Sequence, residues 1–294
     1  MMKSRIFAAT VLLLGSLVAP TNTTLAQEVI RDVVYGQGYV ADGPDGAPRL
    51  RDLTLDVHLP EKGGHDERPA VVLAHGGSFM GGGKEDRKLI EVARHLCKHG
   101  YVCFSIDYRL IGDFPPAAPP FDATLLQAVV HAVYVDTKTA IRFVRAHAAR
   151  YGVDPGRIAV LGESAGAFGA LAAGVSDAAD FAADRDDLPV PEINNPDADG
   201  KPNAVIGLWG SAEPVIDKFD AGDPPMMIVH GVKDIHLSVP FGLARKIKQT
   251  CDEKGIPCRF YPMEGEDHGA WEGKFEGKDL KTLVFEFLET YMAR

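Results

Sequence analysis

The chain has 294 residues, 46% of them hydrophobic, and a formal net charge of −10. That length supports one large α/β domain with a well-buried core, and the acidic balance argues against nucleic acid or an anionic membrane as partner. The four cysteines include no C-x-x-C pair, so the common redox and zinc patterns are missing and no metal or cofactor is expected.

The first element is not part of the fold. Met1-Met2-Lys3-Ser4-Arg5 is a basic start, Ile6 to Val18 is an apolar run, and Thr24-Leu25-Ala26 has the small residues of a cleavage site. This pattern predicts a secretory signal peptide cut near Ala26 and a secreted or periplasmic protein of residues 27–294. The apolar run is shorter than the roughly 20 residues a spanning helix needs, so no stable membrane anchor is expected. Loss of Lys3 and Arg5 takes the charge from −10 to −12.

Strand-like and helix-like stretches then alternate. Residues 29–40 and 50–59 read as strands joined by the Gly/Pro/Asp turn 42–48. Residues 70–74 read as a buried strand, 84–99 as a helix with Leu89, Ile90, Val92, Ala93 and Leu96 at helical spacing, and 101–106 as a strand. A helix over 135–149, a strand over 158–161 and a helix over 164–173 follow. Strands at 204–209 and 226–229, a helix near 239–254, a strand at 259–262 and a helix near 279–292 complete the order. Alternating units of this kind predict a mostly parallel sheet with helices on both faces and an antiparallel hairpin at its N-terminal edge. Functional loops then gather at the carboxyl ends of the strands. Two long connections, 111–130 and 176–203, are expected to border the site.

An exported chain invites disulfides, and Cys251–Cys258 and Cys97–Cys103 are the expected pairs. The alternative for Cys103 is a small buried hydrophobe in its strand.

Gly162-Glu163-Ser164-Ala165-Gly166 is a G-x-S-x-G pentapeptide between the strand-like Arg157–Leu161 and the helix-forming Ala167–Ala173. Strand, sharp turn and helix form the context in which a serine hydroxyl is exposed as a nucleophile. A serine is weak until a base takes its proton, and the base needs a third group to fix its tautomer. His268, after the strand at 259–262, is the candidate base, and Asp234, just past the strand at 226–229, is the candidate acid. His236 is the rival base, and Asp217, Asp220 and Asp223 are rival acids. His75 and His230 lie in glycine turns and are expected to hold those loops by hydrogen bonds, and Tyr108 and Arg109 to tie loops together. The segment His75-Gly76-Gly77-Ser78-Phe79 follows a strand, and the N–H groups of Gly77, Ser78 and Ala165 are the candidate oxyanion donors. Phe79, Phe121, Trp209 and Trp271 are candidate pocket walls.

Taken together, the elbow at 162–166, the segment 75–79, the stretch 105–110 and the Asp234 and His268 motifs resemble an α/β-hydrolase-fold carboxylesterase. The similarity is to hormone-sensitive-lipase-like and feruloyl/acetyl-xylan-esterase-like (BD-FAE-type) enzymes. It runs from about Leu50 to the C-terminus, with Ser78 where the family's H-G-G-G has its third glycine. The resemblance implies an eight-stranded sheet and two-step acyl transfer on a small-molecule or polysaccharide-linked ester, acetyl and feruloyl esters included. An amidase or formamidase, a prolyl-oligopeptidase-like serine peptidase, and a catalytically inactive hydrolase-fold binding protein are the alternatives. The chain has no room for the peptidase's propeller, and all three triad candidates are present.

Overall fold

The computed structural model describes residues 28–41, 47–60, 67–114, 123–185 and 187–293. The expected signal peptide, most of the turn at 42–48 and Phe121 lie outside them. Eight strands form one sheet in the order β1-β2-β4-β3-β5-β6-β7-β8. β1 (Val29–Val40) and β2 (Arg49–His58) pair antiparallel, and β2 runs antiparallel to β4 (Val102–Ile106). β3 (Arg68–Ala74), β5 (Val153–Glu163), β6 (Ala204–Leu208), β7 (Met226–Gly231) and β8 (Cys258–Met263) continue it in parallel from β4. The expected architecture, a mostly parallel sheet with an antiparallel N-terminal edge, is the observed one.

Alternation within each central strand divides the core into two layers. Ala70, Val72 and Ala74 of β3 join Ile158 and Val160 of β5 in a cluster with α2 (Ala123–Ala146), α4 (Ala165–Val175) and α5 (Phe241–Lys254). Val71, Leu73, Ala159 and Leu161 face the other way, onto α1 (Arg87–Lys98) and α6 (Leu280–Met292). Helix α1 starts where the Asp86 carboxylate accepts the Leu89 N–H at 2.9 Å, and α6 where Asp279 accepts the Thr282 N–H at 2.9 Å. A single helical turn, α3 (Ala148–Tyr151), precedes β5, and a small antiparallel pair, β9 (Lys274–Phe275) and β10 (Lys278–Asp279), precedes α6. No helix among the described residues is long and apolar enough to cross a membrane.

Three expectations need correction. Helix α2 starts at Ala123, so the C-terminal part of the expected 111–130 loop is helical. The last proline of that stretch is Pro120, and Leu125, Leu126 and Gln127 are good helix formers. The second long loop does not border the cavity beside Ser164, because no described residue of 176–203 lines it. It is pinned to β1 instead: Asn194 accepts the Gln37 N–H at 2.7 Å and donates to the Gln37 carbonyl at 2.8 Å. Asp184 accepts the Tyr39 N–H at 3.0 Å and pairs with Arg109, which also grips Asp136 at 2.6 Å. Finally, all four cysteines are free thiols. Each expected pair is nonetheless adjacent. Burial and the Cys97 thiol push the Cys103 thiol up, and contact with Cys258, then burial, push up that of Cys251.

Candidate active site

Ser164 occupies the turn between β5 and α4 with φ +50° and ψ −112°, a strained backbone for a non-glycine residue. Its N–H is held by the Leu208 carbonyl of β6 at 2.9 Å. The glycines on either side are steric necessities. A Cβ on Gly162 would stand 2.2 Å from the Gly166 carbonyl oxygen, and one on Gly166 would stand 2.3 Å from that of Ala74. The elbow therefore fits only while both positions lack a side chain.

From this turn a chain of hydrogen bonds crosses the strand ends. Ser164 Oγ lies 3.0 Å from His268 Nε2, and His268 Nδ1 lies 2.8 Å from Asp234 Oδ2. With the proton on Nδ1, the imidazole donates to the carboxylate and leaves Nε2 free to accept from the hydroxyl. Asp234 is buried, whereas the His268 side chain is 29% exposed. Asp234 also receives the His236 N–H on Oδ1 at 2.9 Å and His230 Nε2 on Oδ2 at 2.9 Å. The rival His236 contributes that backbone donor, and its ring stacks on His268 at 5.0 Å. The rival acids lie elsewhere: Asp223 is buried in an ion pair with Lys201, and Asp220 accepts the Gly222 N–H.

The loop after β3 turns back sharply. Gly77 has φ +119°, and the Met80 and Gly81 N–H groups close onto its carbonyl at 3.0 and 3.1 Å. Ser78 and Phe79 follow with φ +55° and +62°. The loop's start is fixed from two sides. The His75 ring stacks on Tyr108 at 4.2 Å, and the Tyr108 hydroxyl donates to the His75 carbonyl at 2.7 Å. Glu163 accepts the Gly76 N–H at 2.9 Å and the Trp209 indole N–H at 3.2 Å. Burial raises the Glu163 carboxyl, and those two donors act against it. Ala165 opens α4, so its N–H has no intrahelical acceptor.

A cavity of about 730 Å³ opens beside Ser164, with Ser78 and Ala165 also on its wall. Phe79, Met80, Leu126, Phe168, Val239 and Leu243 supply much of an apolar lining. Of these, only Phe79 was singled out by the sequence. Trp209 and Trp271 are not walls: the φ of +38° at Trp209 breaks the alternation of β6, so its side chain joins Leu208 in the other layer. Trp209 is fully buried in the layer beneath α1 and α6, with Trp271 packed against it at 4.8 Å. The walls that sequence reading missed include one face of α2, where Leu126 and Val130 stand at i and i+4, and the segment from His236 to Leu243.

Residues 55–213, more than half of the chain, match the BD-FAE family model. The chain belongs to the BD-FAE family. Over 125 residues it is 34% identical to carboxylesterase NlhH of Mycobacterium tuberculosis, covering 42% of this chain and 33% of that protein. The fold matches Thermogutta terrifontis esterase 2 phosphorylated by paraoxon, with a TM-score of 0.66 and 25% identity over 91% of this chain and 96% of that one. The propionate-bound form of that esterase gives a TM-score of 0.63 and 26% identity over the same shares, 91% and 96%. The fold is thus the α/β-hydrolase fold of known esterases. The chain spans about a quarter to just over a third of the length of the curated relatives it matches.

Proposed function

We propose that this family member is a serine carboxylester hydrolase that works through an acyl-enzyme on Ser164. The observation that carries the reading is the unbroken hydrogen-bond path from Ser164 Oγ through His268 to Asp234, at 3.0 and 2.8 Å. His268 Nε2 takes the hydroxyl proton as Oγ attacks an ester carbonyl, and Asp234 stabilises the imidazolium that forms. The N–H groups of Gly77, Ser78 and Ala165 receive the oxyanion of the tetrahedral intermediate. His268 then gives its proton to the departing alcohol, and water repeats the sequence to release the acid and free Ser164.

The cavity supports a substrate with an uncharged apolar acyl or aryl group. Among the described residues its walls carry no lysine or arginine, and Glu213 at its edge is engaged by Lys246 at 2.9 Å. About 730 Å³ is far more than an acetyl group fills. Butyryl to octanoyl and feruloyl esters fit the reading better, the feruloyl ester being one of the two that the family resemblance implies. The export signal expected at residues 1–26 supports a reaction outside the cytoplasm, where acylated polysaccharide fragments are available. Hydrolysis rates across acetyl, butyryl, octanoyl and feruloyl esters, with acetylated xylan and matched amides alongside, test this. A rise in kcat/KM from acetyl to the larger acyl groups, with amides left intact, is expected. An acetyl optimum or faster amide cleavage would overturn it.

A further inference from the structure

His230 was expected only to brace a glycine turn, yet it touches the candidate acid. It sits at the end of β7, fully buried, with Nε2 2.9 Å from Asp234 Oδ2 and 2.9 Å from the Val239 carbonyl oxygen. Two oxygen acceptors facing one ring nitrogen fix the tautomer: Nε2 carries the proton. Nδ1 is left bare, buried and without a partner. A second proton would have to be placed on Nδ1 away from water, and burial accordingly keeps the ring neutral. The histidine is therefore a fixed, uncharged donor.

The carboxylate of Asp234 then has three donors. Oδ2 receives the N–H of His268 and the N–H of His230, and Oδ1 receives the backbone N–H of His236. Val239, which shares the His230 proton, lines the cavity beside Ser164. One buried N–H thus connects the acid to the cavity wall.

We infer that His230 is a positioning residue of this active site: it holds the Asp234 carboxylate in line with His268 and spreads its charge. The inference rests on the acyl-transfer reading above. It also has a direction. Without the His230 donor, the charge on Asp234 is less dispersed and attracts the imidazolium at His268 more strongly, so the base stays protonated to higher pH. The other ionisable groups facing His268 are the stacked ring of His236, the neighbouring Asp267 whose carboxylate accepts the His268 N–H at 2.8 Å, and the Glu163 carboxylate. All three remain in place in a His230 variant, so their contribution cancels in the comparison.

The test uses His230→Leu and His230→Gln in the full chain, with circular dichroism to establish folding. In glutamine the amide nitrogen lies as many bonds from Cβ as imidazole Nε2 does, so it can donate to the same oxygens. His230→Leu is expected to lose roughly ten- to a hundredfold in kcat, with KM changed by less than about threefold. The acidic limb of its kcat/KM profile should move up by on the order of half a pH unit. His230→Gln should recover most of both effects. A folded His230→Leu with the parental kcat and pH profile, or a glutamine variant no better than leucine, would overturn the inference. Where neither variant folds, ring-nitrogen NMR on the unaltered protein decides. An Nε2–H tautomer that does not titrate between about pH 5 and 8 supports the inference, and a titrating or Nδ1–H ring refutes it. Ser164→Ala separates the two readings: activity surviving in that variant removes the acyl-enzyme itself, whereas a negative result at His230 with Ser164→Ala dead removes only the positioning role.

Discussion

Glu163, the residue before Ser164, accepts the N–H of Gly76 at 2.9 Å and so ties the turn that carries Ser164 to the loop that carries Gly77 and Ser78. The proposed nucleophile and the proposed oxyanion donors are thereby held in one register. The other Glu163 oxygen takes the Trp209 indole N–H, which anchors the carboxylate to the buried layer below the sheet.

Glu163→Ala leaves both of those N–H donors without an acceptor. Each orphaned buried donor costs about 1–3 kcal/mol, and the variant is expected to lose stability on that scale. Its kcat should fall on the order of tenfold to a hundredfold, because the donors of the loop are no longer registered against Ser164. Denaturant melts and steady-state rates on one sample check both. A variant as stable and as active as the parent would deny the tether any role.

Asp234→Asn removes the acceptor that keeps the His268 proton on Nδ1. The amide permits the opposite tautomer, with Nε2 protonated and unable to take the serine proton. A fall in kcat of about 10⁴-fold with little change in KM is expected, the loss known for the corresponding substitution in a Ser-His-Asp enzyme. Single-turnover kinetics locate the loss in acylation. A small effect in a folded variant would reassign the acid.

Ser78→Gly tests the strain in the loop. Ser78 adopts φ +55°, which costs a residue with a Cβ roughly 1 kcal/mol that glycine does not incur. Its N–H is a backbone group and survives the change. A gain of up to about 1 kcal/mol in stability is expected, with kcat within about twofold. A stability loss would show that the serine side chain holds the turn.

Lys138 supplies a pH dependence. Its ammonium is buried in α2 and donates to the Asp177 and Asp180 carbonyls at 2.6 and 2.5 Å. Burial, helped by the Arg142 charge, lowers it from the ordinary 10.5 to about 8. The native state therefore releases this proton before the unfolded chain does. Between pH 8 and 10.5 the unfolded state binds more protons, so this group's contribution to stability rises with pH. The neutral amine still has two N–H donors for the two carbonyls. The stability difference between the parent and Lys138→Met is expected to shift by about 1–3 kcal/mol in favour of the parent across that window. A flat difference would mean that the ammonium is not depressed.

The sequence made several strand ends legible because they carry a short apolar run closed by a glycine turn, as at Ala74-His75-Gly76 and Val229-His230-Gly231. Ser164, Asp234 and His268 could be named because their residue types sit at such ends in an informative order. The walls were not legible. Phe168 and Leu243 look like ordinary core residues until the sheet and α2 set their directions. Trp209 misled because its size suggested a wall, whereas its φ of +38° breaks the alternation of β6 and leaves it in the same layer as Leu208, away from the cavity. Leu126 was hidden by the nearby prolines, which made the start of α2 read as loop.

The most direct measurement is the mass of the protein and of its Ser164 peptide after incubation with paraoxon. One diethylphosphoryl group per chain, located on Ser164 and acquired in step with loss of ester hydrolysis, is the expected result. Its absence in Ser164→Ala completes the expectation. An adduct on another residue, or full inhibition with Ser164 unmodified, would contradict the assignment of Ser164 as the nucleophile.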